Sequence, residues 1–272
     1  MKQALSRLLG HLWRWLVLVV VGVLALQLYF VARIALMTVV DPQSTSFQRS
    51  EAWRLLVEKN HIAWSQQWAP YERISPQLKR AVIASEDAGF AEHSGVEWDA
   101  LEKAWERNQK AEERVARINA EMERRAAARQ NGRRTASIAV PPRPPARAEA
   151  RVVGGSTITQ QLAKNLFLGS ERNWARKGQE FAITFMLESL LGKRRIFEIY
   201  LNSVEWGEGV FGAEAAARHY FHVGAGQLGR YAAARLAVML PAPKRFEKRP
   251  DSPYVAGRAG TVMARMTAVE MP

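Results

Sequence analysis

Two adjacent acids, Glu86 and Asp87, open the array in this 272-residue chain that most invites chemistry. Ser75 followed by Pro76 starts a helix, because serine can cap free N–H groups and proline tolerates the first helical position. Leu78, Val82 and Ser85 recur at helical spacing, which predicts a helix running out near Gly89. Glu86 and Asp87 then fall at its C-terminal end, where the helix dipole disfavours negative charge. A solvated helix end is the plain alternative. What sets the pair apart is its continuation, Glu-Asp-x-x-Phe-x-x-His-x-Gly, ending in Phe90, His93 and Gly95.

Cations supply the second element. Arg172, Arg176 and Lys177 precede Glu180 on a helix whose apolar face is Phe181, Phe185, Leu187 and Leu191, and Lys193, Arg194 and Arg195 follow. A charge run is usually a solvated face, but a dense basic cluster beside apolar helices also suits pyrophosphate recognition. Upstream lies Gly154-Gly155-Ser156-Thr157-Ile158-Thr159-Gln160-Gln161-Leu162-Ala163-Lys164-Asn165. Its glycines allow a tight loop, Thr157 with Gln160 has the pattern of a capping box, and a helix N-terminus after such a turn is an anion site. Lys164 shares a helix face with Gln160 and Gln161. A capped surface helix is the alternative. The Gly-Lys-Ser/Thr spacing of a P-loop is missing.

These groups must be held by something, and the rest of the chain reads as mainly α. Trp15 to Ala32 carries no formal charge between Arg14 and Arg33, enough to span a bilayer if Ile34 to Val40 adds to it. Trp13, Trp15 and Tyr29 suit the interfaces, and the basic residues 1–14 argue for a cytoplasmic start. A cleaved signal peptide is the rival, but no Ala-x-Ala-like site follows the run. Residues 15–40 are therefore expected to be a transmembrane anchor, single-pass in the cytoplasmic (inner) membrane, with residues 41–272 outside the cytoplasm. Residues 101–130 have apolar positions three and four apart, the seam of a charged amphipathic helix, with Asn131-Gly132 as its stop. Pro141 to Pro145 and their basic, alanine-rich surroundings read as a linker. Alternation suggestive of strands is confined to 133–153.

Composition narrows the partners. A net charge of +13 calls for an anionic one. No aromatic residues interleave with the basic linker for base stacking, so nucleic acid is not expected. Without cysteine there is neither a disulfide framework nor a thiolate metal site. Gly207-x-Gly209-x-x-Gly212 has no βαβ unit around it and reads as a turn rather than a dinucleotide fingerprint. His219 and His222 lack a metal-site context and read as structural.

Five segments, in order, resemble the motifs of the peptidoglycan glycosyltransferases, which polymerise lipid II into glycan strands. Glu86 to Gly95 fits the first, Gly154 to Asn165 the second, Arg176-Lys177-x-x-Glu180 the third. Lys193 to Asn202 with the Gly207–Gly212 turn fits the fourth, and Leu240-Pro241-Ala242-Pro243 resembles the fifth. Phe197 stands where the family usually has Leu, and Ala242 where Asn is common. Residues 101–150 are longer than the usual spacer between the first two motifs, which in the family belongs to a membrane-hugging small lobe. No Ser-x-x-Lys occurs, so the transpeptidase signature is absent.

The resemblance implies a lysozyme-like, two-lobed helical domain behind the anchor. It implies catalysis by Glu86, as general base on an acceptor hydroxyl, and by Glu180, with inverting transfer and release of undecaprenyl pyrophosphate. Lys164 and Arg172, with Arg176 and Lys177 close by, would hold the pyrophosphate. Ser156, Thr157, Gln160 and Gln161 would line the donor site, and Asp87, Phe90, His93 and Asn165 belong to the same substrate-binding set. No cofactor is required, although a divalent cation (Mg or Mn) near Glu180 is compatible. Expected partners are lipid II, the growing lipid-linked strand, the membrane and cell-wall or division proteins. Two rivals stand beside this reading. A lytic hydrolase of lysozyme type would use a protonated acid and commonly a second carboxylate, without a basic leaving-group site. A non-enzymatic scaffold would act through 101–150.

Overall fold

The computed structural model describes residues 2–133, 155–169 and 173–272. In chain order the helices are α1 Lys2–Leu36, α2 Ser46–Lys59, α3 Pro76–Glu86, α4 Trp98–Arg133, α5 Ile158–Phe167, α6 Trp174–Leu190, α7 Lys193–Ser203, α8 Ala213–Phe221, α9 Arg230–Met239, α10 Pro243–Phe246 and α11 Pro253–Arg265. The strands are β1 Ser65–Gln66, β2 Glu205–Gly207 and β3 Val210–Phe211. The chain divides into two compact units, residues 1–96 with 157–272, and residues 97–156.

The larger unit is helix packed on helix. α3 is started by Ser75, whose Oγ accepts from the Gln77 amide at 3.2 Å, with Pro76 in the first turn. Its Leu78, Ala81, Val82 and Ile83 are fully buried, and it packs against α9 and, to a lesser extent, α11. Alanines at 233, 234 and 237 of α9 are also fully buried, and such small side chains let the α3 backbone come close. α5 begins with the capping box of Thr157 and Gln160 and packs on α6, α7 and α2. Asn202 of α7 ties down the segment between α2 and α3: its Oδ1 accepts from the Ala69 amide at 2.8 Å and its Nδ2 donates to the Ala69 carbonyl at 2.9 Å.

α1 is long and apolar enough to cross a membrane over Leu9–Leu36. Its last three turns dock on the unit. Phe30, Ile34 and Met37 recur at helical spacing and are buried, and the Phe30 ring meets Phe167 edge-on at 5.2 Å between centroids. Arg195 of α7 closes the joint, donating to the Met37 carbonyl at 2.8 Å and to Asp41 Oδ1 at 2.7 Å.

A small sheet accompanies the helices of this mainly α fold. Its order is β1-β3-β2, β1 parallel and β2 antiparallel to β3. The glycine motif is the β2–β3 hairpin turn, with Gly209 at φ +74° and so close to the Ala63 carbonyl that no Cβ would fit. Strands of two or three residues carry too little periodicity to be seen in a sequence.

In the smaller unit, the charged seam forms α4, which runs from Trp98 through Gly132 to Arg133 rather than stopping at Asn131. The proline-rich linker and nearly all of 133–153 lie outside the described residues.

Candidate active site

α3 ends on the two acids, and the residues around each give them different surroundings. Glu86 is partly exposed, and its Oε2 accepts from Gln161 Nε2 of α5 at 3.1 Å. Gln161 Oε1 in turn accepts from the Tyr200 hydroxyl of α7 at 2.9 Å. An ionised carboxylate can only accept, so Gln161 turns its amide nitrogen to Glu86 and leaves its Oε1 to accept from the tyrosine. Ser85 Oγ sits 3.4 Å from Glu86 Oε1 and 3.3 Å from the Ala237 carbonyl. Burial of the carboxyl raises its pKa, and the neighbouring Asp87 charge adds to that, while the bonds from Gln161 and Ser85 pull the other way. Tyr200 is fully buried, and desolvation with the charges of Glu86 and Asp87 holds its hydroxyl protonated well above the ordinary range.

Asp87 is a buried joint. Its Oδ2 accepts from the Ile158 amide at 2.9 Å, in the first turn of α5. Its Oδ1 lies 2.8 Å from His93 Nε2. His93 Nδ1 accepts from the Gly95 amide at 3.1 Å, so Nε2 carries the proton given to Asp87. A carboxylate at a helix N-terminus complements the dipole, so the acid that ends α3 also starts α5. Gly95 makes the turn at φ +87°, and a Cβ there would come within 2.8 Å of Thr184 and Glu188 side-chain carbons. Thr157 Oγ1 donates to the Gly95 carbonyl at 2.6 Å. Glu188 Oε1 secures this corner, accepting from Thr159 Oγ1 at 2.6 Å and Lys193 Nζ at 2.8 Å.

The third cluster lies on α6. Glu180 is buried and takes Arg176 at 3.0 Å on one oxygen and Lys177 at 2.5 Å on the other. Among the described residues, the buried Arg176 Nε–H has no acceptor. Because both Glu180 oxygens already receive a cation, a divalent ion here would depend chiefly on oxygens of a bound phosphate.

The expected residues therefore separate. Glu86 and Gln161 meet directly, and Lys164, three residues on, is exposed on the same side of α5. Asp87, His93, Thr157 and Gln160 are buried or partly buried and hold the helix junction. Phe90 has no exposed surface: it packs on Phe197 at 5.4 Å, with the Lys193 ammonium 4.6 Å from its ring centre, in the core rather than on a binding surface. Asn165 is nearly buried, Ser156 is exposed, and Arg172 lies outside the described residues. Sequence reasoning passed over Tyr200 and Glu188 as parts of the site. Their signal was only that Tyr200 sits in Tyr-Leu-Asn and Glu188 five residues before Lys193; the partners come from distant segments.

A second carboxyl is perturbed. Burial pushes Glu205 of β2 up to about 7, aided by the charges of Glu51 and Glu247 and opposed by Lys244. Lys244 Nζ bridges Glu51 at 2.6 Å and Glu205 at 3.4 Å, yet Glu205 Oε1 receives no aligned hydrogen bond.

Residues 56–117 and 136–267 match the model of the family described as Transglycosylase. A Burkholderia thailandensis protein named biosynthetic peptidoglycan transglycosylase is 50% identical over 250 residues, 92% of this chain and 83% of that one. A Paraburkholderia xenovorans protein of the same name is 46% identical over 263 residues, covering 95% and 94%. A Cupriavidus pinatubonensis protein, again of that name, is 50% identical over 263 residues, covering 93% and 88%. The family match breaks between residues 117 and 136, a gap that takes in the C-terminal part of α4.

Proposed function

The chain belongs to the transglycosylase family and is a peptidoglycan glycosyltransferase, and on that premise we propose that it polymerises lipid II by inverting transfer with release of undecaprenyl pyrophosphate. One observation carries the reading: Glu86 is a desolvated yet accessible carboxyl, aimed by an amide whose orientation is itself fixed. A general base acts best when its pKa lies near the working pH, and burial moves Glu86 in that direction.

Glu86 takes the proton of the acceptor's 4-hydroxyl as that oxygen attacks the anomeric carbon of the growing strand's terminal sugar. The anomeric C–O bond breaks and its electron pair leaves on the pyrophosphate. That leaving group needs charge stabilisation rather than a strong acid. Lys164, Arg172, Arg176 and Lys177 supply it, and Glu180 positions the last two. The open donor on Arg176 Nε supports an anion at this cluster. A Mg or Mn ion would add positive charge at the same phosphates. α1 anchors the enzyme in the cytoplasmic membrane with its N-terminus inside and the catalytic domain outside, where the lipid-linked substrate is delivered.

The test is polymerisation of lipid II by the purified full-length protein. Wild type yields glycan polymer and Glu86→Gln does not. Degradation of preformed strands without polymerisation would make the enzyme a hydrolase and overturn the proposal.

A further inference from the structure

The long charged helix α4 takes no part in the chemistry, and the family match stops inside it after residue 117 and resumes only at 136. Its apolar residues recur in alternating steps of three and four from Leu101 to Met122, interrupted only by Asn108. That is a heptad repeat, with Leu101, Asn108, Val115 and Met122 at a and Ala104, Ala111 and Ile118 at d. The b, c and f positions from Glu102 to Arg124 hold only charged residues, glutamine and alanine. A stripe confined to a and d is the seam of a coiled coil, narrower than the face by which a helix joins a globular core.

Among the described residues α4 is the one helix or strand of its unit, so the seam meets no second helix there. Only its start is occupied. Ala104 is buried, and a Cβ on Gly155 would come within 3.0 Å of it. Beyond that point Ile118 is 45% exposed, and Ala111, Val115 and Met122 keep part of their surface. The edges of the seam say what fits it. Arg107, Arg114 and Glu121 occupy g and Glu112 occupies e, all four exposed. Two positive and two negative charges leave this edge neutral in a chain of net charge +13, so it complements itself rather than an acidic or a basic helix. In a parallel pair, g of one helix faces e of the next heptad on the other. Arg107 then meets Glu112 of the second copy, twice over by symmetry, and Arg114 meets Asn119, so no arginine opposes an arginine. Asn108 at a is of the residue type that fixes register in such dimers.

We infer that residues 108–122 of α4 are a self-association seam, packing in parallel against the same residues of a second copy of this chain. About two heptads make a short coil. α1 confines the copies to one membrane, and that raises their effective concentration. The inference rests on this anchoring and not on the reaction.

The chain has no cysteine, so single thiols report position. Val115→Cys and Ile118→Cys on the seam and Ala120→Cys on the opposite face are introduced one at a time into the full chain. Each variant is reconstituted in vesicles of phosphatidylethanolamine and phosphatidylglycerol, checked for helix content by circular dichroism, and oxidised with copper phenanthroline. The disulfide-linked dimer should form several-fold faster at 115 and at 118 than at 120. Adding Arg107→Glu to Val115→Cys should lower the rate about 2–3-fold, the scale of exposed ion pairs, and adding Glu112→Arg as well should restore it. Equal rates at all three sites mean random collision and overturn the inference. If 115 and 118 join each other in a mixture of the two variants but neither joins itself, the helices are antiparallel and the inference falls. If neither seam site forms dimer it falls as well. Seam thiols that also resist a maleimide are then covered by another part of the chain, and thiols that react face water.

Discussion

Glu86 and Glu180 are both carboxyls set into helices of one unit, and they are surrounded in opposite ways. Glu180 is buried and clasped by two cations. Glu86 is partly open and receives a neutral amide, with burial and the Asp87 charge pushing its pKa up. A carboxylate held by an arginine on one oxygen and a lysine on the other has both oxygens engaged. One that, among the described residues, receives an amide and a hydroxyl but no cation keeps an oxygen available to a substrate hydroxyl. The lesson is that the partners of an acid, rather than its burial, separate a scaffold from a base.

The sharpest way to break this contrast is to neutralise each acid. Glu86→Gln should lower the polymerisation rate by about 10³-fold, within the range expected for losing a general base. Its stability should not suffer. A carboxyl whose folded pKa is raised holds its proton more tightly when folded, so its contribution to stability falls as pH rises through the unfolded and then the folded value. At pH 8, Glu86→Gln should therefore melt no lower than wild type. A clear drop in Tm would mean that the acid is structural after all.

Glu180→Ala should show the reverse balance. It strands two partly buried cations, which typically costs roughly 3 kcal/mol, and calorimetry should show a Tm several degrees lower. If Glu180→Ala keeps full stability and loses only rate, Glu180 is not a scaffold.

How much of this was legible depends on how local each feature is. Ser75-Pro76 and Thr157-Gln160 were readable because a helix start is decided by neighbours within one turn. The apolar run of α1 was readable from length and composition. The bond from Asp87 to the Ile158 amide joins residues 71 apart, and the Tyr200–Gln161 bond spans 39. No motif spacing announces such pairings, since they exist only once α3, α5 and α7 have packed. Gln27 stood out as polar in an apolar run, but Gln179 as its partner did not. Phe90 looked like part of a binding array because it is embedded in one, whereas its ring is needed beneath Lys193.

Glu205 tests the same contrast from a third side, because its carboxyl is raised like that of Glu86 but beside Lys244. Between pH 4.5 and about 7 the folded chain keeps a proton on Glu205 that the unfolded chain gives up. Stability should accordingly fall across that window, by roughly 3 kcal/mol. Glu205→Gln should flatten the fall in a denaturation series while leaving the polymerisation rate near wild type. A large loss of rate instead would show that a raised carboxyl, wherever it sits, is part of the chemistry.

Tyr200→Phe tests the smallest link. The substitution keeps the buried ring, packed 6.4 Å from Phe197 between centroids, and removes only the donor to Gln161. Gln161 Oε1 loses that donor, a loss of about 1–2 kcal/mol, and the amide is held less firmly against Glu86. The bond that lowers the Glu86 pKa is then weakened. The acidic limb of the kcat profile should move to higher pH, and kcat at neutral pH should fall by about 5–30-fold, as that energy implies, with KM little changed. A merely structural tyrosine would lower Tm and leave the limb in place. Movement of the limb would show that the amide between Tyr200 and Glu86 is what makes this acid, unlike Glu180, available to a substrate's proton.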